Sequence, residues 1–322
     1  MQTQDTLLAA APLETQSMAR LWADPETRGL LLGLLGITMF ALTPAMTRLA
    51  VGTSTAPLMT GEFVAMGRAA LAGLLAGAML LAIGARLPGR ADWYPLVMTS
   101  MGVVLGFPLL NAWAMRYVEA THASVISGLQ PLLTAVLAAA LYRQRHALGF
   151  WLCAALGSAL VLGFAMLRSG AGMGSIQVAD GLLLLGMLFG SVGYAYGGQL
   201  AQRMPATQVI SWALVLGLPI TLPVSLWAWP QTSMPASAWG ALAYVALFSM
   251  WIGFFAWYRG LALGGTVRVS QVQLMQPFLS MLFAVPLLGE SLDAVSIGFA
   301  LAVLATAIAG RRMPAPRLNA AS

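Results

Sequence analysis

The chain has 322 residues, of which 59% are apolar and 8% charged, whereas a soluble protein carries about 25% charged residues, so a water-soluble globule is excluded. Sixteen basic residues against ten acidic ones give a net charge of +6, and every basic residue is arginine. One cysteine, Cys153, and two histidines, His122 and His146, exclude an internal disulfide framework and a His/Cys zinc site, and the absence of lysine excludes a retinal-type or pyridoxal-type Schiff base.

A membrane-crossing helix needs about 20 mostly apolar residues, so charged residues mark the limits of each span. Charge-free intervals run 29–47, 69–85, 93–115, 120–142, 146–167, 181–202, 204–258, 269–289 and 294–310. The interval 204–258 is interrupted by a polar, proline-bounded stretch from Pro230 to Ser237 and therefore holds two spans. In chain order the predicted spans are 29–50, 58–84, 93–116, 121–142, 148–167, 181–202, 207–229, 238–262, 267–288 and 293–310. A tail, residues 1–28, precedes them. It is acidic at Asp5, Glu14, Asp24 and Glu26, and its apolar run Leu7–Leu13 lacks a basic flank, so it reads as a retained tail rather than a signal peptide. A second tail covers 311–322.

Basic residues concentrate at cytoplasmic span ends. With the N-terminus inside, the cytoplasmic face collects Arg20, Arg28, Arg86, Arg90, Arg143, Arg145, Arg203, Arg268, Arg311, Arg312 and Arg317, while the other face keeps Arg168, with Arg48 and Arg116 near helix ends. Both termini are thus predicted cytoplasmic. The scattered positive excess is a topology signal, and no nucleic-acid partner is expected. The lipid bilayer and a small-molecule substrate are the expected partners.

Displacing the chain by 146 residues aligns the segment Ser124–Leu141 with Ser270–Leu287, with six identities in eighteen positions, among them Gln130-Pro131 over Gln276-Pro277. The unit holds five helices, an odd number, so the second copy enters the membrane from the opposite side. The predicted fold is an all-α integral membrane protein of ten transmembrane helices in two inverted five-helix repeats, 29–167 and 181–310. In such architectures the site lies near the midplane between the halves. Gln130 and Gln276 each lie nine residues into their spans, roughly 14 Å deep.

With its proline-bearing fourth and ninth spans (Gln130-Pro131-Leu-Leu-Thr-Ala and Gln276-Pro277-Phe-Leu-Ser-Met), Arg68 inside the second span, Leu288-Gly289-Glu290 after the ninth and glycine-rich fifth and tenth spans, the chain resembles the drug/metabolite transporter superfamily, EamA type. The resemblance covers residues 29–312. It implies a secondary transporter, commonly an exporter of amino acids or other small metabolites across the inner membrane, with spans 1–4 and 6–9 around a central cavity and spans 5 and 10 peripheral. Two departures stand out: Arg143-Gln144-Arg145 replaces a common Gly-Glu, and the seventh span has no counterpart of Arg68. Amino-acid exporters of the YddG group, which the chain also resembles in architecture, tend to carry Trp-Pro where this chain has Gln130-Pro131.

Charge within a bilayer is costly and faces the bundle interior or a wet cavity. Two roles fit Arg68: contact with a substrate carboxylate through paired hydrogen bonds, or a structural tie to backbone carbonyls. Glu62, on the outer part of the same span, is the candidate coupling group if protons drive transport; six residues from Arg68, it does not share its helix face. Its other role is an interfacial one. Gln130 and Gln276 offer donors and acceptors to a polar solute, and Pro131 and Pro277 would bend their helices and free a carbonyl; alternatively the glutamines re-satisfy that backbone. Asn111, Gln273, Gln271 and Ser127 extend this polar set. Tyr194 and Trp251 are candidate aromatic walls, and the glycines Gly186 to Gly198 form a small-residue face for helix contact.

Export by alternating access, facilitated or proton-coupled, is the leading function. A lipophilic-cation efflux pump would favour an acid-lined pocket, which Arg68 opposes. An embedded enzyme or receptor lacks any motif in its support, so no catalytic residue, cofactor or metal is expected. The chain acts as a monomer or homodimer in this reading.

Overall fold

The computed structural model describes residues 24–52, 56–114, 129–143, 147–169, 178–288 and 294–311. Ser124, Ser127, His122, His146, Arg145, Glu290 and most of both tails lie outside them. Among the described residues regular structure is helical, apart from an isolated bridge between Gly52 and Pro57. Six helical stretches are long and apolar enough to cross a membrane: Pro25–Val51, Gly61–Ala82, Arg90–Ala114, Gly181–Leu200, Ala206–Trp227 and Ala236–Gly264. Gln130–Leu141, Leu148–Leu160 and Ile297–Gly310 are shorter apolar helices.

The first rod comprises α1 (Pro25–Ala41) and α2 (Thr43–Val51), divided at Leu42. Asp24 caps α1, its carboxylate accepting from the Thr27 amide at 2.9 Å. Pro44 lies in the first turn of α2, where its missing N–H breaks no ladder bond. Helix α3 (Gly61–Ala82) carries Arg68 and is capped by Thr60, whose hydroxyl accepts from the Phe63 amide at 3.1 Å. Thr60→Ala should lower the stability of the purified protein by about 1 kcal/mol in denaturant unfolding, with Thr60→Ser close to wild type.

The next rod runs through α4 (Trp93–Thr99), a π-helical stretch (Ser100–Gly106) and α5 (Phe107–Ala114). Then follow α6 (Gln130–Leu141), α7 (Leu148–Ser169), α8 (Val178–Leu200) and α9 (Ala206–Trp227). A further rod joins α10 (Ala236–Tyr244), a second π-helical stretch (Val245–Ile252) and α11 (Gly253–Gly264). Ser100 displaced by 146 falls on Ala246 and Gly106 on Ile252, both inside the second π stretch, so the two π stretches share the spacing of the Gln-Pro pairs. The chain ends with α12 (Thr266–Val269), a 3-10 segment (Ser270–Met275), α13 (Gln276–Leu288) and α14 (Ala294–Arg311).

Helix α3 packs along α9, α1 along α11, α8 along the rod from α4 to α5, and α7 along α14; α6 also meets α8, and α13 meets α1. These pairings include corresponding sets: α1 with α11 and α8 with the rod from α4 to α5, and α6 with α8 and α13 with α1. Two crossings depend on glycine. A Cβ on Gly29 would lie 2.4 Å from the Gly264 nitrogen, and one on Gly102 would lie 2.5 Å from the Phe189 carbonyl oxygen and 2.6 Å from the Gly193 nitrogen. The interior between the rods is filled by Trp257, Tyr258, Leu261, Ile210 and Leu214. Leu74, Leu152, Leu156, Leu226 and Leu301 point outward, an apolar periphery suited to lipid rather than water.

Candidate functional site

A cavity of about 110 Å³ opens where the rods of both halves converge. Two of the contributing rods present a helical stripe to it. From α1 and α2 come Phe40, Thr43, Pro44 and Thr47, and from the 3-10 segment and α13 come Gln273, Gln276, Pro277 and Ser280, both with i, i+3, i+4, i+7 spacing. Helix α3 supplies Val64, Ala65 and Arg68, α5 supplies Phe107, Pro108, Asn111 and Ala112, and α6 and α8 supply Gln130 and Tyr194. Ser249 and Met250 face it from the second π stretch and Phe254 from α11.

Arg68 is the one charged side chain among the described lining residues, and it is only 8% exposed. Among the described residues six buried side-chain polar atoms have no hydrogen-bond partner, and three belong to this cavity: Arg68 Nε, Gln130 Nε2 and Gln273 Oε1. Each such atom costs about 1–3 kcal/mol unless something in the cavity satisfies it. The Tyr194 phenol lies beside Arg68, Gln130 and Gln273, and its ring packs on Phe254, which in turn packs on Phe40 at a centroid distance of 5.0 Å. The cavity thus has a cationic, amide-rich floor and an aromatic wall. Thr43 donates to Ser249 at 2.8 Å across it, and Ser280 donates to the Ala41 carbonyl at 2.7 Å where α1 meets α2.

The fold brings together Arg68, Gln130, Gln276, Asn111, Gln273, Tyr194 and Pro277 from distant parts of the sequence. Four other candidates, Trp251, Glu62, Pro131 and Gln271, lie outside the lining. Trp251 was expected as a wall, but the π stretch turns Ser249 and Met250 inward and leaves Trp251 half-buried, donating from its indole to Ser211 Oγ at 3.0 Å. Glu62 accepts from the Trp113 indole at 3.0 Å. Pro131 sits in the first turn of α6 and Pro277 in that of α13; each begins a helical segment rather than bending the middle of one. Gln271 donates to the Pro131 carbonyl at 3.4 Å, a tie between the Gln-Pro segments of the two halves.

Thr43, Thr47, Ser249 and Ser280 were not anticipated. Hydroxyls are unremarkable in apolar helices because they bond back to the preceding turn. Phe254 was not anticipated either, since its inward direction has no one-dimensional signal. Among the described residues no group of three or more His, Cys, Asp or Glu could hold a metal ion.

An all-helical body with several membrane-length apolar rods around a buried polar cavity defines a multi-pass membrane protein of the transporter kind. The EamA-like transporter family matches twice, over residues 27–166 and 177–310. The chain belongs to that family. It is 42% identical over 293 residues to the uncharacterised transporter YdeK of Bacillus subtilis (strain 168), covering 90% of this chain and 99% of that one. A second relative there, the uncharacterised transporter YyaM, is 25% identical over 192 residues, covering 56% of this chain and 61% of that one. A crystal structure superposes with a TM-score of 0.72 at 18% identity, covering 88% of this chain and 98% of the other, a likeness of fold alone.

Proposed function

We propose that the chain is a secondary transporter that exports small carboxylate-bearing metabolites, amino acids among them, across the inner membrane by alternating access. The observation that carries this reading is the Arg68 guanidinium, buried at the cavity floor with an unpaired Nε beside two glutamines that also have unpaired atoms. A guanidinium matches a carboxylate with two parallel hydrogen bonds, and the glutamine amides can take either polarity of a neighbouring group. Arg68, Gln130, Gln276, Asn111, Gln273 and Tyr194 are the substrate-binding residues in this reading.

The transport cycle is a rocking of two inverted five-span halves, 29–167 and 181–310, about the cavity. The common spacing of the Gln-Pro pairs and π stretches supports the repeat, as do helix pairings that survive exchange of the halves. Two ion pairs, Arg268 to Glu26 at 3.2 Å and Arg203 to Asp92 at 3.9 Å, join span ends that this topology puts on one side, and the arginine bias makes that side the cytoplasmic one. Glu62, outside the lining, is kept as the coupling candidate only for a proton-driven variant of the cycle.

Purified full-length protein in liposomes preloaded with the same unlabelled solute tests the reading with a labelled panel of amino acids, small carboxylates and tetraphenylphosphonium. Carboxylate-bearing solutes should enter, and the lipophilic cation should not. Gln130→Ala should slow entry by about 5- to 20-fold, the worth of one or two hydrogen bonds in a buried site. Glu62→Gln should leave the rate within about threefold of wild type at both pH 6 and pH 8, since its carboxylate is not at the cavity. Liposomes inert to the whole panel would refute the reading.

A further inference from the structure

The cavity is accessible from one end and shut at the other. Thr47, Asn111 and Ser280 are half-buried, whereas Arg68, Gln130, Gln273 and Tyr194 at the floor are each at most 8% exposed. Beyond the floor the packing is tight. The Tyr142 hydroxyl donates to the Ala195 carbonyl and lies 3.1 Å from Thr266 Oγ1; the Tyr258 hydroxyl donates to the Gly193 carbonyl at 3.2 Å; Thr266 is 1% and Tyr258 0% exposed. To deliver a solute the molecule must close the accessible end before opening this one. In between, the cavity is sealed on both sides and its water is largely expelled.

Sealing has different consequences for empty and loaded states. Among the described residues the lining holds no carboxylate to offset Arg68, so an empty cavity closes over a guanidinium stripped of water and left without a counter-charge. A bound monoanion supplies that charge and satisfies the open donors of Arg68 and Gln130. A zwitterion also brings an ammonium for which the lining has no acid, and a cation adds to the repulsion. We infer that the cavity changes sides only with a small organic monoanion on Arg68, making the chain a one-for-one anion exchanger whose loaded step moves no net charge. This rests on the transporter reading and narrows its substrate class to solutes of net charge −1.

The inference can be tested without knowing the natural solute. In the full chain with Cys153→Ser, Thr266→Cys marks the shut end, and the rate of its modification by N-ethylmaleimide in solute-free liposomes reports how often that end opens. With Arg68 in place modification is slow; Arg68→Gln should accelerate it about tenfold or more, and Arg68→Lys, which keeps the charge, should remain slow. Equal rates for Arg68 and Arg68→Gln, or an Arg68→Lys rate matching Arg68→Gln, overturn the inference. Flux supplies a second readout. Labelled pyruvate and benzoate should enter liposomes preloaded with the same unlabelled anion at least about tenfold faster than buffer-filled ones, and an imposed potassium diffusion potential should not change that rate. Equal entry into both overturns exchange but leaves the transporter reading standing. No entry of any solute in the panel refutes that reading instead, while the modification contrast still decides whether the Arg68 charge holds the empty cavity on one side.

Discussion

Arg68→Ala is expected to lower carboxylate flux in proteoliposomes by about 10- to 100-fold while leaving thermal stability unchanged or raised. The flux loss corresponds to one or two charge-assisted hydrogen bonds, each worth about 1.5–3 kcal/mol. The stability outcome separates the two roles open to this residue. An arginine that ties helices together leaves unpaired acceptors when it is removed, and the protein unfolds earlier. Here the Nε has no partner and no carboxylate faces the guanidinium among the described lining residues, so removal takes away a desolvated charge rather than a bond. Melting of detergent-solubilised wild type and variant, measured beside flux, distinguishes the cases: a clear drop in melting temperature would mark Arg68 as structural.

The second large effect lies at the glycine crossings. Gly29→Leu and Gly102→Leu should each destabilise the protein by about 3 kcal/mol or more, or prevent its accumulation, since even a few added methylenes in a packed interior cost about 1–3 kcal/mol. The obstacle is backbone: Gly264 faces Gly29, and Phe189 and Gly193 face Gly102, so no side-chain rotation makes room. Helix α1 would separate from α11, and the first π stretch from α8. These are the pairings that exchange of the two halves interconverts, so the variants should behave alike. Gly298 provides the control, since a Cβ there would meet nothing within 4 Å; Gly298→Ala should be neutral or stabilising by up to about 1 kcal/mol through helix propensity. Thermal unfolding monitored by circular dichroism measures all three.

Both expectations depend on how rods meet, and the sequence alone was informative about this to an uneven degree. Where six of the rods run was readable, because lipid excludes charge residue by residue along the chain. Gln130, Gln273 and Gln276 were noticeable for a related reason: an amide in an apolar helix is conspicuous. The serines and threonines of the cavity were not, since a hydroxyl in an apolar helix can bond to its own preceding turn and so gives no sign of the cross-helix partners that Thr43 and Ser280 have.

Direction around the helix axis was harder. Trp251 and Met250 are adjacent, yet Met250 faces the cavity and Trp251 bonds to Ser211 on a neighbouring rod. A regular 3.6-residue repeat does not describe that stretch, because the π-helical turns between Val245 and Ile252 change the angular step from residue to residue. Likewise the Gln-Pro pairs were legible as interruptions of an apolar run, but whether proline bends a helix or begins one depends on the segment before it. For Gln276 that segment is the 3-10 turn Ser270–Met275, which lets Pro277 enter at a first turn.

By itself the sequence determined that this protein lives in a bilayer, where six long apolar rods run and that its rare interior polar groups include Arg68 and the paired glutamines. Those properties follow from transfer free energy, which each segment expresses independently of its neighbours. Only the tertiary structure decided that Arg68, Gln130, Gln273 and Tyr194 share one floor, that Glu62 and Trp251 stand apart from it, and that no described lining residue offsets the arginine. Glycine-mediated close approach and π-helical turns set the rotation and separation of rods, and those depend on contacts between residues far apart in the sequence.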